Sequence, residues 1–446
     1  MSGIWQWVVF FVCLVVENWV WAASLRLEVD GSRVESELKE LRRFSDTAAP
    51  DVTRILYTQS DLDARDYLRR LFKEEGLVIR EDAIGNIFAR WPGKSADSPA
   101  IGTGSHCDAI PFSGMYDGTV GVVGALEAIR ALKRSGFRPV RSIEILVFTS
   151  EEPTRFGIGC LGSRALTGVL KPLDLMKLLD VNNTSFDQAR FAAGYTDKLE
   201  NIELSESYYD GFIELHIEQG PELEKGGIDV GVVTAIAAPA QLEVTFKGDG
   251  GHAGALLMHL RNDALLAGAE LAIETEKAAL AKGTRDTVVT TGSFDIAPNT
   301  VNSVPRHAKL GIDVRDIDEQ RRDSVLEIII SRAAEIATAR RVEHSVRVLN
   351  KDSPADSAVE LVRALEDSAD QLNFSHQRMV SRAYHDSLFI AAKFPTAMLF
   401  IPCRDGISHR PDEYASEEAI SKGVLALAHT LAKLSSAAPQ EDEPDL

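Results

Sequence analysis

Ser142-Ile143-Glu144-Ile145-Leu146-Val147-Phe148-Thr149-Ser150-Glu151-Glu152-Pro153 is the stretch on which the fold turns. Its β-branched and aromatic residues predict a short buried strand. Glu151 and Glu152 leave that strand together, and Pro153 stops it. Two like charges forced side by side in a half-buried place cost free energy unless a cation neutralises them. The strand end therefore marks a place of expected chemistry as well as a structural element.

Upstream, Leu62 to Glu75 has helical apolar spacing and Ile84 to Ala89 reads as a strand. Ala100 to Ser105 is a short apolar strand ending in Gly-Ser-His, and Gly118 to Ser135 is a long helix. Downstream, Tyr209-Asp210-Gly211 precedes a strand from Phe212 to His216. This alternation predicts an α/β fold around a mostly parallel sheet, with candidate residues at the C-terminal strand ends where such sheets bind ligands.

The pattern changes near residue 236. Gln241 to Lys247 alternates, a helix runs from Arg261 to about Lys282, and strands follow at Val288–Phe294 and Ala308–Val314. A helix from Asp318 to Arg340 and a strand from Val342 to Val348 complete a small α+β unit. Helix and strand alternation resumes after Pro354 and ends in Thr396–Pro402 and the loop Gly406–Tyr414. The expected organisation is a discontinuous catalytic domain over 24–235 and 353–446, with a smaller domain inserted over 236–352.

The chain has 446 residues, 45% of them apolar, which is enough for a full core. Lys plus Arg number 48 and Asp plus Glu 67, a net charge of −19. That balance argues against nucleic acid or an anionic membrane surface as partner. A small anionic substrate is still compatible, because a buried Arg acts locally against the global field.

Ile4 to Val16 is almost wholly apolar, and no Lys or Arg precedes Arg26. Residues 1–23 read as a secretory signal cleaved near Ala22 or Ala23, with an uncleaved anchor as the alternative. The expected location is the endoplasmic reticulum lumen, with no stable membrane insertion of the mature chain. Asn182, Asn183 and Asn373 fit the glycan acceptor pattern. Cys107, Cys160 and Cys403 follow the signal, and their spacing suggests neither a disulfide framework nor a zinc finger.

In Gly104-Ser105-His106-Cys107-Asp108 a histidine offers an imidazole nitrogen, and an acid two residues on can fix its tautomer. Alone, His106 reads equally as a structural histidine. Asp117 lies in a glycine-bounded turn opening a helix, where a solvated acid is also favoured. His216 ends a strand and His409 sits in a loop near the C-terminus. Taken with Glu151 and Glu152, these place a histidine or acid at five successive strand-to-loop junctions. That set fits two divalent cations bridged by one carboxylate, with one of the paired acids free to handle protons.

In their order, Asp117-Gly118, Thr149-Ser150-Glu151-Glu152-Pro153-Thr154-Arg155-Phe156-Gly157 and His216-Ile217-Glu218-Gln219-Gly220 resemble the M20-type metallopeptidase and amidohydrolase family. The likeness is to its ureide and N-carbamoyl-amide branch. It extends through Gly251-His252-Ala253-Gly254-Ala255, Ser381-Arg382-Ala383-Tyr384-His385-Asp386-Ser387-Leu388 and Phe400-Ile401-Pro402-Cys403. The resemblance implies His106, Asp117, Glu152, His216 and His409 as metal ligands, with Asp117 bridging. It implies Glu151 as general base, and catalytic roles for Asp108 and His252. Gln219, His252, Asn302, Arg315, Tyr384 and His385 would hold substrate, Arg315 through its planar fork on a carboxylate.

The resemblance further implies two Mn²⁺ per subunit, a set that would also accept Zn²⁺, Co²⁺ or Ni²⁺. It implies a homodimer through the inserted domain, which would act as a lid, and a small anionic ureide as substrate. Ala255-Leu256-Leu257-Met258 and Tyr384 depart from allantoate-cleaving relatives and point to the ureido C–N bond of (S)-ureidoglycolate, in purine catabolism. Allantoate, an N-carbamoyl amino acid, and a metal-free binding or regulatory role are the alternatives.

Overall fold

The computed structural model describes residues 26–436. The expected signal, residues 1–23, and the acidic tail beyond residue 436 lie outside them. The chain divides into two units. One runs to Thr234 and resumes over Ser357–Met379 and from His385 onward; the other comprises Ala235–Asp356 and Val380–Tyr384.

In the first unit, β1 (Val78–Glu81), β2 (Ile87–Trp91), β3 (Ala100–His106), β4 (Ile143–Phe148), β5 (Tyr209–Ile217), β6 (Val230–Ile236) and β7 (Thr396–Ile401) form one sheet. Their order is β6-β7-β5-β3-β4-β2-β1. The four central strands β7, β5, β3 and β4 are parallel, and the pairings outside them are antiparallel. The main helices are α1 (Gly31–Leu41), α2 (Gln59–Glu74), α3 (Thr119–Arg134), α4 (Asp386–Ile390) and α5 (Glu417–Ser436). Ile143, Ile145 and Val147 of β4 pack with residues of α3 and α5, whereas Leu146 and Phe148 pack with Leu161, Phe186 and Phe212. Cover on both faces is why β4 carries an unbroken apolar run from Ile145 to Phe148 rather than an alternating one.

Local polar contacts moved two element starts of the first unit from their expected places. The helix predicted from Leu62 begins at Gln59, because the Thr58 side chain accepts the Asp61 N–H. The strand predicted from Ile84 begins at Ile87, because Asp82 Oδ1 accepts the N–H groups of Ile84 and Asn86 and turns the chain there.

The second unit holds a four-stranded antiparallel sheet in the order Val288–Ala297, His307–Asp316, Ala238–Lys247, Glu343–Lys351. Ala308, Leu310, Ile312 and Val314, alternate residues of one strand, pack with Leu271, Val325 and Ile329 of the helices Ala264–Lys282 and Glu319–Arg340. The first of these helices starts at Ala264 rather than Arg261, since Asp263 caps the N–H groups of Leu265 and Leu266. Compared with the expected 236–352, the inserted unit reaches Asp356 and also takes in Val380–Tyr384. The Ala237 N–H donates to the Ser381 carbonyl at 2.8 Å, and Arg382 pairs with Asp286 at 2.6 Å. The Arg315 guanidinium lies 5.6 Å from the Tyr384 ring centre.

Cys107, Cys160 and Cys403 are free and buried. Among the described residues no helix is long and apolar enough to cross a membrane.

Candidate metal centre

His106 is the last residue of β3, Glu151 and Glu152 follow β4, His216 lies near the end of β5, and His409 sits in the loop beyond β7. Because these four strands are parallel, all of these side chains emerge at one edge of the sheet. They meet on Asp117. Its Oδ1 lies 3.1 Å from His216 Nε2 and 3.6 Å from His106 Nε2, and its Oδ2 lies 3.1 Å from His409 Nε2. His409 Nε2 is in turn 3.3 Å from Glu152 Oε1. Two groups result, His106–Asp117–His216 and Asp117–Glu152–His409, each with its ligand atoms within 4.8 Å of one another. Asp117 contributes one oxygen to each.

The donors are carboxylate oxygens and imidazole nitrogens without thiolate, a set that suits borderline and hard divalent cations. His216 Nδ1 is 2.8 Å from the Ile217 carbonyl, and His106 Nδ1 is 3.1 Å from that of Asp108. Those bonds orient both rings so that each Nε2 faces Asp117. Gly118 is required for this approach. Its φ is +65°, and a Cβ there would lie 2.4 Å from His106 Nε2.

The site seeks positive charge. Desolvation alone would raise the buried Asp117, yet hydrogen bonds from His106, His216 and His409 pull it well below the usual carboxylate range. Bonds to Asp117 and Glu152 push His409 up to about 11. Burial drives Glu151 well above the usual carboxylate range against the pull of His106, and the charge of Glu152 adds to the rise. These side chains fit divalent cations on the chemistry and placement of their donors.

The Asp108 carboxylate faces the His106 imidazole as expected, with Oδ1 3.6 Å from Nδ1, and does more besides. Oδ1 accepts the Glu151 N–H at 3.1 Å and Oδ2 the Glu152 N–H at 3.0 Å, while the backbone carbonyl of Asp108 meets the imidazole. Glu151, 7% exposed, has its Oε2 3.9 Å from His106 Nε2.

Gln219 donates from Nε2 to Asp117 Oδ2 at 2.9 Å and to Ser408 Oγ at 3.1 Å. Its Oε1 is buried with no hydrogen-bond partner. His385 is buried, with its ring 4.4 Å from that of His216. Behind them Glu214 accepts Ser105 Oγ at 2.6 Å and the Ser387 N–H at 3.1 Å. Glu214, His216 and His385 form a further close group, but Glu214 is already occupied in holding β3 and α4 to β5.

His252, Asn302, Arg315 and Tyr384 belong to the second unit. His252 and Asn302 adjoin and are exposed: the Ala253 N–H donates to the Asn302 carbonyl at 2.9 Å, and His252 pairs with Ser303. Arg315 Nε donates to Asp313 Oδ1 at 2.7 Å.

Three side chains of the centre escaped the sequence reading. Ser408 and Glu413 tie the His409 loop to Asp117, and Cys160 places its Sγ 3.8 Å from Glu151 Oε1. A serine or acid in a polar loop has no periodicity to announce it, and only the burial of Glu413 (5% exposed) sets it apart.

Residues 103–433 match the sequence profile of Peptidase family M20/M25/M40. Over 416 residues the chain is 52% identical to a ureidoglycolate hydrolase of Arabidopsis thaliana, covering 92% of this chain and 87% of that protein. Crystal structures of AtUAH in complex with (S)-hydroxyglycine and with glyoxylate each superpose with a TM-score of 0.86 at 51% identity, covering 93% of this chain and 99% of theirs.

Proposed function

From the premise that this chain belongs to Peptidase family M20/M25/M40, we propose that it is a two-cation amidohydrolase cleaving the ureido C–N bond of (S)-ureidoglycolate to glyoxylate, ammonia and carbon dioxide in purine catabolism. The observation that carries the chemistry is the division of Asp117, one oxygen to each ligand group. The choice of substrate is supported by the 52% identity to a ureidoglycolate hydrolase and by the structural match to AtUAH holding glyoxylate.

His106, Asp117, Glu152, His216 and His409 would hold the divalent cations, which would supply Lewis-acid polarisation of a carbonyl and acidify water. Glu151 accepts the proton of the attacking water and returns it to the leaving amine. Asp108 keeps Glu151 in place through the backbone. The unpartnered Oε1 of Gln219 offers an acceptor for a ureido N–H. Arg315 pairs with the substrate carboxylate, with Tyr384 beneath its guanidinium. His252 and Asn302, adjoining and exposed on the inserted unit, serve the site of a second copy in a homodimer.

Mn²⁺ is the proposed metal, consistent with the all-oxygen-and-nitrogen donor set. The proposed location is the endoplasmic reticulum lumen after removal of residues 1–23. Asn182, Asn183 and Asn373 are exposed, as glycan acceptors must be. The deciding test is ammonia and glyoxylate release from (S)-ureidoglycolate, allantoate and N-carbamoyl amino acids, using metal-stripped protein with Mn²⁺ added back. Turnover restricted to allantoate or to a carbamoyl amino acid would replace the substrate. No turnover on any of them would remove the reading.

A further inference from the structure

One acid at the centre is neither a ligand nor the base. Glu413 Oε1 accepts the N–H of Tyr116 at 2.8 Å and of Asp117 at 3.0 Å. Those are backbone groups of the turn that leads into α3, ahead of its cap residue Gly118. Glu413 Oε2 accepts Ser408 Oγ at 2.8 Å, and that hydroxyl is 3.1 Å from Asp117 Oδ2. The Glu413 N–H donates to the Arg410 carbonyl at 3.1 Å, closing a turn directly after His409, which itself has φ +59°. The chain leaves room for this side chain: a Cβ on Gly114 would lie 2.4 Å from Glu413 Cβ and 2.5 Å from its Oε1.

Glu413 therefore grips the backbone of Asp117 with one oxygen and the Ser408–His409 loop with the other. Asp117 and His409 belong to the same ligand group, along with Glu152. The first group, His106–Asp117–His216, is set by β3 and β5 and takes only Asp117 from this arrangement. Loss of the Glu413 carboxylate removes the tie between the His409 loop and the turn, and does not touch β3 or β5.

We propose that Glu413 is a positioning residue that holds Asp117 and His409 in register for the second of the two cations. This rests on the two-cation reading above, and it predicts an asymmetric defect.

Full-chain parent, Glu413→Ala and Glu413→Gln are stripped of metal and titrated with Mn²⁺ against a chelator of known affinity. Bound ions are counted by atomic absorption, and the melting temperature of each stripped protein is recorded. The parent binds two ions. Glu413→Ala keeps the first within about threefold of parental affinity and binds the second about 10–100-fold more weakly, as outer-shell losses do. Excess Mn²⁺ restores its kcat, with KM little changed. Glu413→Gln, whose amide oxygen can still accept both N–H groups, recovers most of the second site. A Ser408→Ala variant, which cuts the Oε2 arm but leaves Oε1 on the Tyr116 and Asp117 N–H groups, weakens the same ion to a smaller degree.

Glu413→Ala holding two ions as tightly as the parent overturns the inference. So does equal loss of both ions in Glu413→Ala and Glu413→Gln with a matching fall in melting temperature, which is the mark of a purely structural role. A parent that binds no ion overturns the two-cation reading itself, a result distinct from either of these.

Discussion

The carboxylate of Asp108 holds the backbone of Glu151, with Oδ1 accepting its N–H at 3.1 Å. The other oxygen accepts the next N–H, of Glu152, at 3.0 Å. The proposed base and a neighbouring candidate ligand are thus fixed by a side chain that need not touch a cation. In Asp108→Ala two buried N–H groups lose their acceptor, at about 1–3 kcal/mol each. The variant is expected to melt lower and to lose kcat by more than tenfold, with Asp108→Asn intermediate. Parental kcat in Asp108→Ala would show that Glu151 needs no such support.

Glu151→Gln preserves shape and removes the proton acceptor. Turnover is expected to fall about 10²–10⁴-fold while bound Mn²⁺ and melting temperature stay at parental values. Steady-state kinetics with a metal count on the same sample checks this, and near-normal kcat would assign the base elsewhere.

Gly118→Ala tests how tightly the His106 side is built. The added Cβ meets His106 Nε2 at 2.4 Å from a backbone with φ +65°. Expected are backbone strain of about 1–3 kcal/mol and weaker cation binding, read by thermal melts and chelator competition. Unchanged Mn²⁺ affinity would mean that His106 has freedom the packing does not suggest.

Arg315→Lys keeps the charge and loses the planar fork. Since a single charge-assisted hydrogen bond contributes about 1.5–3 kcal/mol, KM for (S)-ureidoglycolate is expected to rise about 10–100-fold, with melting temperature unchanged. A lowered melting temperature without a KM effect would return Arg315 to a structural role beside Asp313.

The inserted unit should show an acid limb of its own. Asp316 is buried; desolvation would raise its carboxyl, but bonds from Arg321, Thr287 and the Asp318 N–H hold it below the ordinary value. A depressed carboxylate stabilises the fold fully above its unfolded pKa of about 3.9 and loses that contribution as pH falls through the lower folded value. Asp316→Asn is therefore expected to be less stable than parent at pH 7, with the gap closing below about pH 3.5. Denaturant melts across that range measure it, and a gap independent of pH would contradict the assignment.

The candidate ligand residues were legible in the sequence because each stands at a junction with local signals. His106 ends an apolar run, Glu151 and Glu152 end another before Pro153, and Asp117 precedes a helix start. The parallel order of the central strands follows from the alternation of strands and helices, and it brings those junctions to one edge. Strand starts such as Ile87 were less legible, since the Asp82 turn that delays it depends on a side-chain oxygen finding two N–H groups.

What the sequence by itself determined is the inventory: which side chains bear donors, and at which strand ends they stand. What only the tertiary structure decided is how the donors are shared. Asp117 splits its two oxygens between groups, Asp108 reaches the backbone of Glu151 and Glu152 as well as the imidazole, and Glu413 grips an N–H 296 positions away in the chain. Val380–Tyr384 joins the inserted unit by the same kind of contact. Periodicity and turn chemistry act over a few residues and leave a trace in local order. A hydrogen bond between distant segments depends on where the folded backbone brings them, and no spacing in the chain records it.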